Sequence, residues 1–99
     1  MESSKERRDP ETASMRAAVN EVIQERVYQN ERWGRGHDRA HTRQDWISIL
    51  AVYLGKASSE APPYTAAGID DPEIRKAFRK RLVQIAAISL AAIEAIDQQ

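Results

Sequence analysis

Apolar residues recur every three or four positions in three segments of the chain, which is the spacing of one face of an α-helix. The first segment follows Asp9-Pro10, a capping side chain before a proline at the first helical position. It predicts a helix from Pro10 to about Trp33, and Gly34 and Gly36 then open a polar loop. Its apolar positions are Met15, Val19, Val22, Ile23 and Val27.

The second helix is predicted to begin at Thr42–Asp45, which resembles a capping box with Asp in place of the commoner Glu. The helical spacing of apolar residues is lost over Ser58–Ala61, and Pro62-Pro63 ends the helix because proline lacks the backbone amide donor that a helix needs. We expect residues 62–70 to form a surface loop. The apolar positions of this helix are Trp46, Ile47, Ile49, Leu50, Tyr53 and Leu54.

Asp71-Pro72 repeats the start signal and predicts a third helix that runs to about Asp97. From Leu82 onward its apolar residues cover most of the circumference, which is wider than one core-facing stripe. Either this helix is central in the monomer, or one side of it forms a subunit interface. Three helices in 99 residues favour the interface, so we expect an oligomeric helical bundle, a dimer or larger.

Composition adds limits to this all-α prediction. No strand or hairpin pattern competes with the helices, and residues 1–9 are polar and charged. We therefore expect a flexible tail over 1–9 and a single domain over 10–99. The chain has no cysteine, no signal peptide and no apolar run long enough for a membrane span, which indicates a soluble cytoplasmic protein. With 15 basic and 15 acidic residues, a nucleic-acid partner is not expected.

One stretch, Glu25–Ala57, carries a recognisable pattern, ERVYQNERWGRGHDRAHTRQDWISILAVYLGKA. It resembles the small MazG-like, all-α NTP pyrophosphohydrolase-type proteins, whose pattern is ER-x-x-Q-x-x-x-WG, a loop with His, a Trp that opens the next helix, and EE-x-G-E-A. The resemblance implies a nucleotide pocket in an all-α bundle. In such a family, glutamates on facing helices hold magnesium against the triphosphate.

The glutamates of that family pattern are replaced in this chain. Val52, Tyr53 and Lys56 stand at their positions on the second helix, and Arg81 and Gln84 stand at the corresponding positions on the third. Since magnesium needs hard oxygen ligands, we expect no metal, no cofactor and no catalytic residues. Lys56 and Arg81 are predicted to bind phosphate directly. The alternative is that both are ordinary solvated surface cations.

The first helix retains the family pattern at Glu25, Arg26, Gln29 and Trp33. Three of these, Glu25, Gln29 and Trp33, are spaced by four and therefore share one face. Trp33 is predicted to stack on a base, and the two polar side chains are predicted to contact base or ribose edges. The alternative is that Trp33 is a core anchor and Gln29 a solvated neighbour.

The loop before the second helix supplies His37, Asp38 and His41, with Trp46 just after it. We expect an imidazole here to contact phosphate or base, because the family also carries His in this loop. A zinc site is the alternative, but His-x-x-x-His indicates zinc when it lies on a helix, and this pair lies in a loop. A further alternative is that both histidines are plain surface residues.

The segment Arg75–Arg81 contains five cations in the first turns of the third helix, where the helix dipole disfavours positive charge. A bound anion would relieve this repulsion. The alternative is a surface helix whose cations pair with neighbouring acids such as Glu60, Asp70, Asp71 and Glu73.

These observations favour a protein that binds a phosphorylated nucleotide without hydrolysing it. In a phage, the natural use would be sequestration of a nucleotide second messenger of host immunity. One alternative is a metal-dependent hydrolase that uses Glu25, Glu31, Asp38 and the histidines. Another is a purely structural oligomer. The sequence does not specify the base, the number of phosphates or the order of the oligomer.

Overall fold

Three α-helices make up the structure, with no strand among the residues it describes. The computed structural model describes residues 10–34, 36, 39–60 and 71–98. Helix α1 spans Pro10–Trp33, α2 spans Arg43–Glu60, and α3 spans Pro72–Asp97. The prediction of an all-α, three-helix chain is confirmed, whereas the predicted tail at 1–9 and loop at 62–70 lie outside the described residues. None of the three described helices has the length and apolar character needed to cross a membrane.

The helix ends follow the capping signals in the sequence. The Thr42 amide donates to the Asp45 carboxylate (2.7 Å), and the Asp45 amide donates to the Thr42 hydroxyl (3.1 Å), which is a reciprocal capping box at the start of α2. Asp71 accepts hydrogen bonds from the amides of Glu73 and Ile74 at the start of α3. Helix α1 ends at Trp33 and is followed by Gly34, whose φ of 81° lies in the left-handed region that favours glycine.

Helix α3 is central, and α1 and α2 both pack on it but not on each other within the described residues. The interface between α2 and α3 contains the apolar core, in which Trp46 packs with Ile88, Ala91 and Ala95. At the other end of this interface, Glu60 of α2 pairs with Arg81 of α3 (2.9 Å). Since the start of α2 meets the end of α3, the two helices are antiparallel.

Two ion pairs connect α1 and α3. Arg26 Nε donates to Glu94 Oε1 at 2.9 Å, and Arg79 forms two hydrogen bonds with the carboxylate of Glu21. The buried residues of α1 are Arg26 and Gln29. The apolar spacing therefore predicted the helix correctly, but most of its large apolar side chains are exposed. These exposed residues are Met15, Val19, Ile23 and Val27.

Part of the apolar surface of α3 is also uncovered. The sequence favoured a subunit interface over a central position of this helix in the monomer, whereas the structure places the helix between α1 and α2, in contact with both. One side of it nevertheless remains exposed, with Phe78, Leu82, Ile93 and Ile96 on the surface. The predicted oligomer stays a prediction at this point.

Candidate functional site

A cavity of about 250 Å³ opens between α1 and α2, over the surface of α3. Five of the residues predicted from the sequence to bind a ligand line it. They are Arg26, Gln29, Trp33, His41 and Trp46. The other lining residues are Ile49, Tyr53, Ile88 and Ala91. The fold thus brings half of the predicted ligand-binding residues to one place.

Aromatic rings form much of the cavity wall. His41 and Trp46 meet edge to face, with ring centroids 4.8 Å apart and an angle of 82° between their planes. Trp33 lines the cavity while 45% of its surface remains exposed, so it is not the core anchor that the sequence left as an alternative. The Arg32 guanidinium lies 5.7 Å from the centre of the Trp33 ring.

The polar lining residues are held by other parts of the chain. Gln29 is buried, and its Nε2 donates to Oε2 of Glu25 at 3.1 Å, so it is not a solvated neighbour. Arg26 is held by its ion pair with Glu94 on α3. These fixed positions are what a preorganised site requires, because little side-chain freedom is lost on binding.

His41 lies next to the capping box of α2. Its Nδ1 is 3.8 Å from Oδ2 of Asp45, and the hydrogen bonds that Asp45 accepts from Thr42 lower the pKa of the Asp45 carboxyl group. Asp45 therefore stays ionised to a lower pH than an ordinary aspartate does.

Lys56 and Arg81 do not line the cavity. Lys56 is exposed, and its Nζ lies 4.9 Å from the centre of the Tyr53 ring. Arg81 donates to Glu60 and to Oε1 of Gln84 (2.9 Å), and the bond to Glu60 raises the pKa of the guanidinium. The use of these two cations to bind phosphate stays a prediction.

Glu25 lies beside a second, more open groove between α1 and α3. Residues of this groove include Glu21, Lys76, Arg79 and Lys80. The ion pair with Arg79 lowers the pKa of Glu21. Together with the pair between Arg81 and Glu60, this contact gives Arg79 and Arg81 of the basic run acidic partners inside the chain. These pairs agree with the alternative to an anion site, namely a surface helix whose cations pair with acidic side chains.

The remaining candidates concern metal binding. His37 and Asp38 lie outside the described residues. Among the residues that the structure does describe, no group of three or more His, Cys, Asp or Glu side chains is placed to hold a metal ion. Of the two other residues assigned to the alternative hydrolase, Glu25 is hydrogen-bonded to Gln29, and Glu31 is exposed on α1.

Four of the lining residues are not among those predicted from the sequence to bind a ligand. Ile49 and Tyr53 follow Trp46 at i+3 and i+7, so their helical face could have indicated them. Ile88 and Ala91 could not be assigned in this way, because their place in the cavity depends on how α3 packs against α2.

The cavity has the chemistry of a binding site for a planar aromatic group. Its walls combine aromatic and aliphatic side chains with one guanidinium, one amide and one imidazole, and none of the described lining residues is Asp, Glu, Ser or Cys. Its volume lies below the roughly 300–1,000 Å³ that is usual for small-molecule pockets, so it would enclose part of a ligand. Comparisons of the chain with family models, with curated proteins and with solved structures gave no match.

Proposed function

We propose that this protein binds a phosphorylated nucleotide without hydrolysing it, and that the base enters the cavity lined by Trp33, Trp46 and Tyr53. The observation that carries this proposal is the half-exposed Trp33 at a cavity whose other walls are aromatic and apolar. Stacking of a base on an aromatic side chain contributes about 1–3 kcal/mol and requires no particular base. The cavity is large enough for a base, and the sugar and phosphates would lie outside it.

The chemistry of the lining residues supports binding over cleavage. Metal-assisted phosphoryl chemistry needs carboxylates to hold the dication beside the phosphates. The described residues around the cavity offer Arg26, Gln29 and His41 as their polar groups, which suit hydrogen bonding to a base edge or to an anion. The Arg26 guanidinium, which pairs with Glu94, carries a positive charge that suits a phosphorylated ligand.

The resemblance of Glu25–Ala57 to MazG-like proteins supports the same proposal from the sequence. That resemblance implies a nucleotide pocket, and the glutamate positions of the pattern hold Val52, Tyr53 and Lys56. Tyr53 lines the cavity, so in this proposal an aromatic wall takes the place of a metal ligand. If the chain belongs to a phage, capture of an immune nucleotide messenger would be its use.

The proposal is tested by mixing the purified protein and magnesium with a panel of linear and cyclic nucleotides, cyclic dinucleotides and cyclic ADP-ribose isomers. Filtration followed by mass spectrometry would measure the bound and free fractions. We expect one class of nucleotide to be retained and released unchanged on heating. Conversion to monophosphate and pyrophosphate would refute the non-catalytic role, and retention of nothing would refute the binding itself.

Two variants locate the site. Trp33→Ala should weaken binding by about tenfold, the equivalent of roughly 1.4 kcal/mol of lost stacking. Tyr28→Ala is the matched control, because Tyr28 is an equally exposed aromatic residue on the same helix outside the described cavity. Ala91→Leu should block the cavity from the side of α3. Equal affinity in all three variants would place the nucleotide elsewhere.

A structural role has one observation in its favour, the exposed apolar residues on all three helices. As the sole function, it predicts no retained nucleotide and normal assembly in Trp33→Ala. The nucleotide panel therefore separates it from the binding proposal.

A further inference from the structure

One side of α3 carries a continuous apolar stripe that neither α1 nor α2 covers. We call it the open face of α3, formed by Phe78, Leu82, Ile85, Ser89, Ile93 and Ile96. Each step along this series is three or four residues, so the side chains lie on one side of the helix over about five turns, roughly 27 Å. Four of the six are exposed, and Ile85 and Ser89 are half-buried.

The other sides of α3 are occupied within the chain. Ile88, Ala91 and Ala95 pack in the core with α2, and Arg79 and Glu94 form ion pairs with α1. The open face is therefore a third side of the central helix. A continuous exposed apolar stripe of this kind marks an interaction surface on a folded protein.

The single polar residue of the open face is compatible with burial. The Ser89 hydroxyl donates to the backbone carbonyl of Ile85 at 2.9 Å. Covering Ser89 would therefore not leave its donor unsatisfied, which is the main cost of burying a hydroxyl. Ser89 is also small and lies near the middle of the stripe, where a second helix could approach closely.

The charges on α3 indicate which partner fits. Its first turns contain five cations between Arg75 and Arg81 and one acid, Glu73, whereas residues 82–97 contain no cation and the two acids Glu94 and Asp97. Arg79, Arg81 and Glu94 already form ion pairs within the chain, so these pairs reduce but do not reverse the difference between the two ends. A second α3 in the antiparallel direction would place the basic end of each helix beside the acidic end of the other. A parallel pair would bring like charges together, and the two helix dipoles would also be aligned unfavourably.

The flanks of the open face show the same complementarity. Arg75 and Asp97 are 22 residues apart, about six turns, and lie along the same edge of the stripe. In an antiparallel pair, equivalent edges of the two helices meet. Each Arg75 would then lie near Asp97 of the second copy, twice in a symmetric dimer.

We propose that two copies of this chain associate through the open faces of α3, antiparallel, with the two-fold axis near Ile85 and Ser89. The cavity lies on the side of α3 that faces α2, where Ile88 and Ala91 are found, so this association leaves it accessible. Dimer formation through the open face does not require nucleotide binding. A negative result in the dimerisation experiment therefore leaves the nucleotide-binding proposal unaffected, and the reverse also holds.

The first test is sedimentation equilibrium of the intact chain over a range of concentrations. We expect a species of twice 11.2 kDa. Leu82→Glu should raise the dimer Kd at least about tenfold, because it puts a charge in the apolar interface. Leu54→Glu on α2 is the matched control, because Leu54 is also an exposed leucine (62%, compared with 47% for Leu82). It lies outside the open face of α3, so this variant should remain dimeric. Circular dichroism would show that both variants keep their helices.

Three results of this test would overturn the proposal. One is a monomeric wild type at all concentrations up to about 1 mM. Another is dissociation by Leu54→Glu with no effect of Leu82→Glu. The third is dissociation by Val19→Glu alone, which would assign the interface to the exposed stripe of α1.

The direction of the two helices is tested by disulfide trapping, since the natural chain has no cysteine. Phe78→Cys and Ile96→Cys lie at opposite ends of the open face. An antiparallel pair predicts that a mixture of the two variants forms the mixed disulfide on mild oxidation, and that neither variant alone forms a dimer disulfide. A disulfide-linked dimer of Phe78→Cys alone would show a parallel pair and refute the proposed arrangement.

Discussion

The two interfaces of α3 differ in the interactions that hold them. Against α2 it buries apolar side chains, with Trp46 and Ile88 at the centre of the cluster. Against α1 it presents ion pairs, and the residues that α1 buries are Arg26 and Gln29. The first interface is stabilised by removal of apolar surface from water, which depends little on salt or pH. The second depends on charge and geometry, which solvent and ions weaken.

This difference assigns separate roles to the two halves of the structure. We therefore expect the antiparallel pair of α2 and α3 to be the more stable part, with α1 positioned on it by directional polar contacts. The cavity lies where the two interfaces meet, since Trp33 and Gln29 come from α1 and Trp46 and Tyr53 from α2. Substitutions at the interface between α1 and α3 are therefore expected to alter the cavity at a smaller cost in overall stability than substitutions at the interface between α2 and α3.

The largest effect should come from the apolar interface. Ile88→Ala removes a buried side chain that packs against Trp46, and we expect it to lower the free energy of unfolding by about 2–4 kcal/mol. Urea denaturation followed by circular dichroism would measure the loss. Ile47→Ala is the matched control on the exposed side of α2 and should change stability by less than about 0.5 kcal/mol. Similar losses in both variants would contradict the position of the core.

The ion pair between Arg26 and Glu94 should have an intermediate effect. Arg26→Ala is expected to cost about 1–2 kcal/mol, less than a fully buried pair would, because the Glu94 side chain is 36% exposed. The same denaturation assay applies. Replacing both partners with Leu should recover most of the loss, since no charge is then left without its partner. If the losses of Arg26→Ala and Glu94→Ala simply add in the double-alanine variant, the pair does not contribute as a unit.

The smallest effect is expected for the exposed pair of Glu21 and Arg79. This pair lowers the pKa of Glu21 in the folded protein. A carboxyl group with a lowered folded pKa stabilises the protein above its unfolded pKa of about 4.3, and this contribution is lost as the pH falls through the folded value. Glu21→Gln should therefore be slightly less stable than the wild type at pH 7, with the difference disappearing in acid.

Stability curves of both proteins between pH 7 and about pH 2 would measure this difference. In the Arg79→Gln background, Glu21→Gln should have little effect at any pH, because the cause of the lowered pKa is gone. A stability difference between the wild type and Glu21→Gln that grows as the pH falls would show that Glu21 does not stabilise the protein in its ionised form.

Much of the local structure could be predicted because its signals lie within a few residues of one another. The capping box of Thr42 and Asp45 and the cap at Asp71 are examples, since donor and acceptor are separated by at most three positions. The shared face of Gln29 and Trp33 is another, and both residues line the cavity. The pairs of Glu21 with Arg79 and of Arg26 with Glu94 could not be predicted, because their partners are 58 and 68 residues apart.

The sequence by itself determined the three helices, their ends and the aromatic and polar residues available for a site, because helical periodicity and capping are local properties of the chain. Only the tertiary structure decided which of those residues meet. It placed Trp33, Trp46 and Tyr53 around one cavity and left Lys56 and Arg81 outside it. The reason is that these placements depend on how α1 and α2 pack on α3, and the spacing of residues along a helix does not specify its neighbour.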